Sequence, residues 1–168
     1  MIINNVKLVL EDEVVQGSLE IVGGVIRTFA ESPSSLPEAL DGEGGWLLPG
    51  LIELHTDNLD KFFTPRPKVD WPAHSAMSSH DALMVASGIT TVLDAVAIGD
   101  VRDGGDRLEN LEKMINAVEE TQKRGVNRAE HRLHLRCELP HHTTLPLFEK
   151  LVGREPVTLV SLMDHSPG

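Results

Sequence analysis

Residues 45–57 read Gly-Trp-Leu-Leu-Pro-Gly-Leu-Ile-Glu-Leu-His-Thr-Asp, an apolar stretch that ends in two side chains able to bind a metal. The part from Leu51 to Asp57 predicts a β-strand. Side chains two positions apart on a strand point to the same face, about 6–7 Å from each other. His55 and Asp57 therefore share a face with Glu53 and can reach one metal ion. Nitrogen and oxygen ligands at this spacing suit zinc, manganese or iron.

Beyond this strand the chain alternates between helical and extended patterns. Helices are predicted over 75–87, 106–124 and 143–152, and strands over 89–97, 132–138 and 157–163. Repeated β-α-β units predict a parallel sheet, and both a doubly wound sheet and a (β/α)₈ barrel fit this order. Residues 1–48 differ, because short β-like runs alternate with turn residues there. Gly23-Gly24 between two of these runs indicates a hairpin.

Composition excludes several classes of protein. The net charge of −11 over 168 residues argues against broad binding to nucleic acid or to anionic membranes, since both attract basic surfaces. Cys137 is the single cysteine, so neither an internal disulfide nor a cysteine-rich zinc module can form. No signal peptide and no apolar run of membrane-spanning length is recognisable. A reducing, cytoplasmic setting is therefore expected.

Polar side chains also interrupt the later strands. One face of the strand over 132–138 carries only polar residues: Arg132, His134, Arg136 and Glu138. Asp94 lies among valines and leucines, and His165 follows the last strand. Ionised groups are costly to bury unless they are paired or bound to metal, and ligands of α/β proteins bind at the carboxyl ends of the strands. Ordinary alternatives remain: Glu138 could pair with Arg136, and a single histidine often makes only a structural hydrogen bond.

Several motifs in combination resemble the amidohydrolase superfamily. They are 48–57 (LPGLIELHTD), 55–61 (HTDNLDK), 64–67 (TPRP), 71–74 (WPAH), 79–81 (SHD) and 163–168 (MDHSPG). The first strand of that superfamily usually reads Pro-Gly-Leu-Ile-Asp-x-His-x-His. This chain departs from it with Glu53 in place of the aspartate and Asp57 in place of the second histidine. With the other motifs, these departures resemble a branch that acts in the carbon–phosphorus lyase pathway for phosphonate use.

The resemblance implies both a fold and an activity. The expected fold class is α/β: the N-terminal part of an amidohydrolase (β/α)₈ barrel, about four β/α units over residues 49–168. A small β segment over residues 1–48, part of a composite β domain, precedes it. The implied activity is that of a metal-dependent hydrolase with one or two zinc or manganese ions. Its implied substrate is a phosphorylated ribose, cleaved from a 5-triphosphate to a 5-phosphate with release of pyrophosphate.

The resemblance also implies roles for individual residues. The implied metal ligands lie at three strand ends: His55, Asp57, Glu138 and His165. The implied charge partners for a polyphosphate follow the first of these strands: Lys61, Arg66 and Lys68. Arginine suits this role because its guanidinium can bind two phosphate oxygens at once. The catalytic general base is expected beyond Gly168.

The length of the chain fits only part of the expected (β/α)₈ barrel. A (β/α)₈ barrel typically needs about 250 residues, and only four of its eight strands are predicted here. We therefore expect an amino-terminal fragment with little activity alone, which could form a homo-oligomer or self-associate through unpaired barrel edges. Two rival predictions stay open. One is a cyclic-amide hydrolase or deacetylase of the same superfamily, and the other is a non-catalytic metal-binding module.

Overall fold

The structure is a computed structural model that describes residues 1–99 and 106–166, without the side chains of 106–109. It divides into two compact units, Met1–Pro49 and Gly50–Gly168. Each unit has its own β-sheet and its own hydrophobic core. Pro167 and Gly168, which end the last of the quoted motifs, lie outside the described residues.

The first unit is a small β-sheet. Its strands are β1 (Ile2–Val9), β2 (Val14–Val22), β3 (Val25–Ala30), β4 (Leu40–Asp41) and β5 (Trp46–Leu47). They are ordered β3-β2-β1-β4, and β5 also pairs with β1. The predicted hairpin is present between β2 and β3, where Gly23 and Gly24 have φ angles of 60° and 81°. Glycine adopts such angles without steric cost. Alternate residues of β1 and β2 form the core of the unit: Val6, Leu8, Val15 and Leu19.

The second unit is a parallel sheet with helices between its strands. In chain order its elements are β6 (Leu51–Thr56), α1 (Asn58–Phe63), α2 (Ala73–Ala86), β7 (Ile89–Ile98), α3 (Asp106–Lys123), β8 (Glu130–Glu138), α4 (Thr144–Leu151) and β9 (Val157–Met163). The strands are ordered β6-β7-β8-β9, all parallel. The predicted mixed α/β architecture, about four β/α units after a small β segment, is confirmed.

Helix α3 shows why these segments fold as they do. Leu111, Ile115 and Val118 recur at helical spacing, and all three are fully buried against the sheet. The helix ends before Gly125, whose φ of 63° places it in the left-handed region that commonly terminates helices. Burial of this apolar stripe fixes the helix on one face of the sheet. The other face is left to the polar residues of β8.

Two elements were not predicted from the sequence: helix α1 and the two-residue strand β4, which lies in the Ser-, Pro- and Gly-rich stretch 31–45 that was expected to be a loop. Helix α1, six residues long, lies within the stretch that was expected to be a loop after the first barrel strand. Its buried Leu59 and Phe63 hold it in the core of the second unit. Among the described residues, no helix combines the length and the apolar character needed to cross a bilayer.

Candidate metal centre

The carboxyl end of β6 presents the first two predicted metal ligands side by side. His55 is the penultimate residue of the strand, and Asp57 follows it directly. His55 Nε2 lies 3.7 Å from Asp57 Oδ2, and both side chains are about two-fifths exposed. Asp57 occupies the capping position of α1 but makes no side-chain capping bond there. Its carboxylate is therefore directed to partners outside its own helix.

The other two predicted ligands form a second pair at the ends of β8 and β9. His165 Nδ1 lies 2.8 Å and 2.9 Å from the two carboxylate oxygens of Glu138, so the imidazole donates and the carboxylate accepts. Glu138 is almost fully buried, whereas the His165 side chain is 56% exposed. The burial of Glu138 makes a positively charged or hydrogen-bonding partner necessary.

Arg136 joins the two pairs. Its Nη1 donates to Asp57 Oδ1 at 2.6 Å, and its Nε lies 3.5 Å from Glu138 Oε1. The predicted alternative for Glu138, an ion pair with Arg136, is therefore present together with the contact to His165. The structure thus brings all four predicted ligands to one edge of the sheet, in two pairs connected by one guanidinium. Two carboxylates with one arginine make this edge attractive to a further cation.

His134 is a member of this edge that the sequence analysis had left without a chemical role. Its Nδ1 lies 3.3 Å from His55 Nδ1, and its Nε2 is 2.8 Å from Ser161 Oγ. Burial lowers the pKa of His134, and the nearby charge of His55 lowers it further. A neutral imidazole can bind a metal or share a proton with His55. The signal in the sequence was its position on β8, which places it on the same face as Arg136 and Glu138.

The three predicted phosphate-binding residues lie in α1 and in the segment that follows it. Lys61 is in α1, and its Nζ lies 3.5 Å from the side-chain oxygen of Asn58. Arg66 and Lys68 are exposed in the segment before α2. In the ranges 1–99 and 106–166, no hydrogen bond or ion pair joins any of the three to His55, Asp57, Glu138 or His165. Their role in binding phosphate stays a prediction.

The donor set at the strand ends fits a divalent metal. Imidazole nitrogens and carboxylate oxygens are ligands that zinc and manganese accept. Both carboxylates are already directed at a cationic group, the guanidinium of Arg136. The Nε atom of that guanidinium is buried without a hydrogen-bond partner among the described residues. The residues that could hold an ion are His55, Asp57, Glu138 and His165.

A second polar cluster lies on the opposite, helix-facing side of the sheet. His80 of α2 donates from Nε2 to Asp94 Oδ1 at 2.5 Å, and His131 of β8 donates from Nδ1 to Asp94 Oδ2 at 2.7 Å. The other ring nitrogen of His131 lies 3.3 Å from Asp81 Oδ1. Backbone amides of Arg128 and Ala129 donate to that same oxygen. This network, His80, Asp81, Asp94 and His131, ties α2 to β7 and β8.

This network was not predicted from the sequence. Residues 79–81 were quoted only as part of a motif, and Asp94 was noted among valines and leucines without a partner being named for it. Asp94 lies within β7 and faces α2. Burial by itself would raise the pKa of Asp94, but the hydrogen bonds and charges of His131 and His80 outweigh it and lower the pKa. Ligand atoms of His80, Asp94 and His131 lie within 4.8 Å of one another, a separation that a metal could bridge. Their hydrogen-bond distances instead indicate that protons join them.

The fold and the strand-end residues define a parallel α/β chain with candidate metal ligands at the carboxyl ends of its strands. The chain is 93% identical over all 168 residues to a protein of Escherichia coli strain K12, alpha-D-ribose 1-methylphosphonate 5-triphosphate diphosphatase. It spans 44% of the length of that relative, in the amino-terminal part. This identity confirms the resemblance to the phosphonate-pathway branch on which the residue roles were predicted.

Two solved structures align with most of the chain at low sequence identity. A prolidase in complex with N-methylphosphonate-L-proline aligns with 84% of the chain at 18% identity and a TM-score of 0.49, and the chain covers 33% of it. A structure of an uncharacterised protein aligns with the same share of the chain at 18% identity and a TM-score of 0.48, and the chain covers 34% of it. No protein-family model matches the chain.

Proposed function

We propose that this chain supplies the amino-terminal part of a metal-dependent diphosphatase that acts on ribose 1-methylphosphonate 5-triphosphate. The products would be the 5-phosphate and pyrophosphate, within phosphonate catabolism in the cytoplasm. The observation that carries the proposal is the 93% identity to a relative with that name, which extends over the whole chain. Since the chain spans 44% of that relative, the activity belongs to the longer protein.

The geometry of the strand ends supports a hydrolase. The proposed metal ligands are His55, Asp57, Glu138 and His165, which lie in two contacting pairs at one edge of the sheet. A divalent ion held there would lower the pKa of a bound water and polarise a phosphoryl oxygen. These four residues would hold the ion, and the contacts of buried Glu138 with His165 and Arg136 would orient its carboxylate. His134, held by Ser161, would orient the imidazole of His55.

The proposed substrate contacts lie in the segment after β6. Lys61, Arg66 and Lys68 are exposed cations in a chain with net charge −11, so they would give a triphosphate a local partner of opposite sign. Arg66 can bind two phosphate oxygens at once, whereas each lysine acts as a point charge. The general base is proposed to lie outside these residues. We therefore expect the 168-residue chain alone to release little pyrophosphate.

The proposal is tested by exchange into the full-length relative. The 168 residues would replace the matching segment of the Escherichia coli protein, and pyrophosphate release from the ribose triphosphate would be measured with zinc or manganese. We expect the hybrid to be active and its His55→Ala variant to lose most of that activity. His142→Ala, outside the strand-end group, is the matched control and should behave like the hybrid.

Two results would contradict the proposal. One is a folded hybrid that hydrolyses a cyclic amide or an acetamide but not the triphosphate, which would favour the rival amidohydrolase prediction. The other is full triphosphate activity in the His55→Ala hybrid, which would remove the strand-end residues from the site. Turnover by the isolated chain near that of the hybrid would refute the expectation that the chain is inactive alone.

A further inference from the structure

Arg136 is positioned by the register of the parallel sheet. Arg136 on β8 lies opposite Ala97 on β7. Strand β7 in turn lies between β8 and β6, the strand that Asp57 follows. Small side chains at Ala95 and Ala97 leave space above β7, so the guanidinium can cross the strand and reach Asp57. A cavity of about 10 Å³ beside them, lined in part by Asp57, Ala95 and Arg136, has room for about one water-sized group. Any larger group at this place must displace the arginine.

The contacts of Arg136 are those of a counter-ion between two carboxylates. Nη1 donates to Asp57 Oδ1 at 2.6 Å, and Nε lies 3.5 Å from Glu138 Oε1 without forming a hydrogen bond. The arginine side chain is 12% exposed and that of Glu138 is 4% exposed, so solvent screens their charges weakly. The guanidinium therefore balances the charge of both carboxylates, but its Nε donor has no hydrogen-bond partner within the part of the chain that the structure describes.

We infer that Arg136 is a place-holding cation. Its guanidinium pairs with the carboxylates of Asp57 and Glu138 and competes with the divalent metal for both of them. This inference rests on the proposed function, since that proposal makes Asp57 and Glu138 metal ligands. Metal binding then requires the guanidinium to give up Asp57 Oδ1. Arg136 is therefore a positioning residue: before the metal binds, it pairs with the carboxylates of Asp57 and Glu138.

The same strand offers a contrast. Arg132 also lies on the polar face of β8, but it is paired with Glu130 at the other end of the strand. A purely structural arginine would act like Arg132, stabilising the strand without affecting metal affinity. Arg136 differs because both of its carboxylate partners belong to the proposed ligand set. Metal affinity is therefore the property that separates the two roles.

The experiment measures zinc and manganese affinity of the 168-residue chain by competition with a chromophoric chelator. The variants are Arg136→Gln, Arg136→Lys and the matched control Arg132→Gln, each checked for folding by circular dichroism. We expect Arg136→Gln to bind metal at least about tenfold more tightly, because a like charge a few ångströms from the ion has been removed. Arg136→Lys should fall between, since one point charge remains, and Arg132→Gln should match the wild type.

The outcomes separate this inference from the proposed function. Measurable wild-type binding, with equal or weaker binding by a folded Arg136→Gln, would overturn the place-holding role and leave the metal site standing. If Arg136→Gln does not fold, Arg136→Lys decides, and affinity equal to or weaker than wild type overturns the inference. Absence of binding to every folded variant would overturn the four-residue metal site and the inference that rests on it, whereas the proposed function is decided separately by the assay of the hybrid. Tighter binding by Arg136→Gln, intermediate binding by Arg136→Lys and unchanged binding by Arg132→Gln together support the place-holding role and the metal site.

Discussion

Replacing Asp94 with asparagine tests the buried network that joins α2 to the sheet. Asparagine has nearly the same shape, but it has no charge and offers one acceptor oxygen in place of two. Asp94 now accepts from His80 at 2.5 Å and from His131 at 2.7 Å, and all three side chains are fully buried. In the variant one histidine keeps an acceptor, whereas the donating N–H of the other faces an amide N–H and cannot pair with it unless that ring changes its tautomer. We expect the second unit to lose stability.

The expected size of this loss follows from the contacts. A hydrogen bond to a charged group contributes about 1.5–3 kcal/mol, and breaking a buried charged pair costs about 3–5 kcal/mol. Since one bond is lost and the other loses its charge, we expect the free energy of unfolding to fall by about 3 kcal/mol. With a urea slope of about 2 kcal/mol per molar, the midpoint of unfolding should shift by about 1.5 M. Circular dichroism in urea measures this shift.

A surface carboxylate provides the control. Glu112→Gln removes an exposed, solvent-screened ion pair with Lys150, which should change the free energy of unfolding very little. A loss of that small size for Asp94→Asn would refute the structural role of the network. The pH dependence adds a second check. Because the pKa of Asp94 is lowered in the folded chain, its contribution is full above about pH 4 and is lost as the pH falls further, so the two proteins should converge in acid.

Three further outcomes are expected. His55→Ala should abolish the rise in thermal midpoint that zinc or manganese gives to the wild-type chain; an unchanged rise in differential scanning fluorimetry would argue against His55 as a ligand. Gly99→Ala should lower the free energy of unfolding by at least about 2 kcal/mol, because φ is 79° at this position and an added Cβ would lie 2.1 Å from Thr144 Oγ1. Unfolding of this variant at the wild-type urea concentration would contradict the prediction. The Cys137 thiol should react slowly with Ellman's reagent until urea unfolds the chain, because burial and the charge of Glu138 raise the pKa of the thiol. A rapid reaction in the folded protein would show that β8 opens.

Much of the fold could be predicted because the pattern of the sequence is local. The stripe of Leu111, Ile115 and Val118 predicted α3, and the alternation of apolar and polar residues predicted β8 within two residues of its start. Helix α1 was missed because six residues are too few to show a helical period. Its order depends on burial of Leu59 and Phe63 in the core, which is tertiary information.

The strand-end residues were also accessible to sequence reasoning, because the carboxyl ends of parallel strands meet at one edge. This rule placed polar residues as distant in sequence as His55 and His165 at one edge, and the family resemblance implied that they bind metal. It could not reveal that Arg136 crosses β7, since that depends on the sheet register and on the small side chain of Ala97. The buried network was missed for a similar reason. A charged residue within an apolar strand, such as Asp94, signals that a partner exists but not which one.

The alternation of side chains along β8 has a consequence for how mutations would distribute. Residues 131, 133, 135 and 137 face the helices and are buried, whereas 132, 134, 136 and 138 line the polar face. In a saturation mutagenesis experiment that scores cellular abundance and activity separately, odd-numbered positions should lower abundance. Even-numbered positions near the end of the strand should lower activity while much of the protein persists. Alternate positions of one strand would thus be constrained by two different properties, stability on the helix-facing side and activity on the polar side.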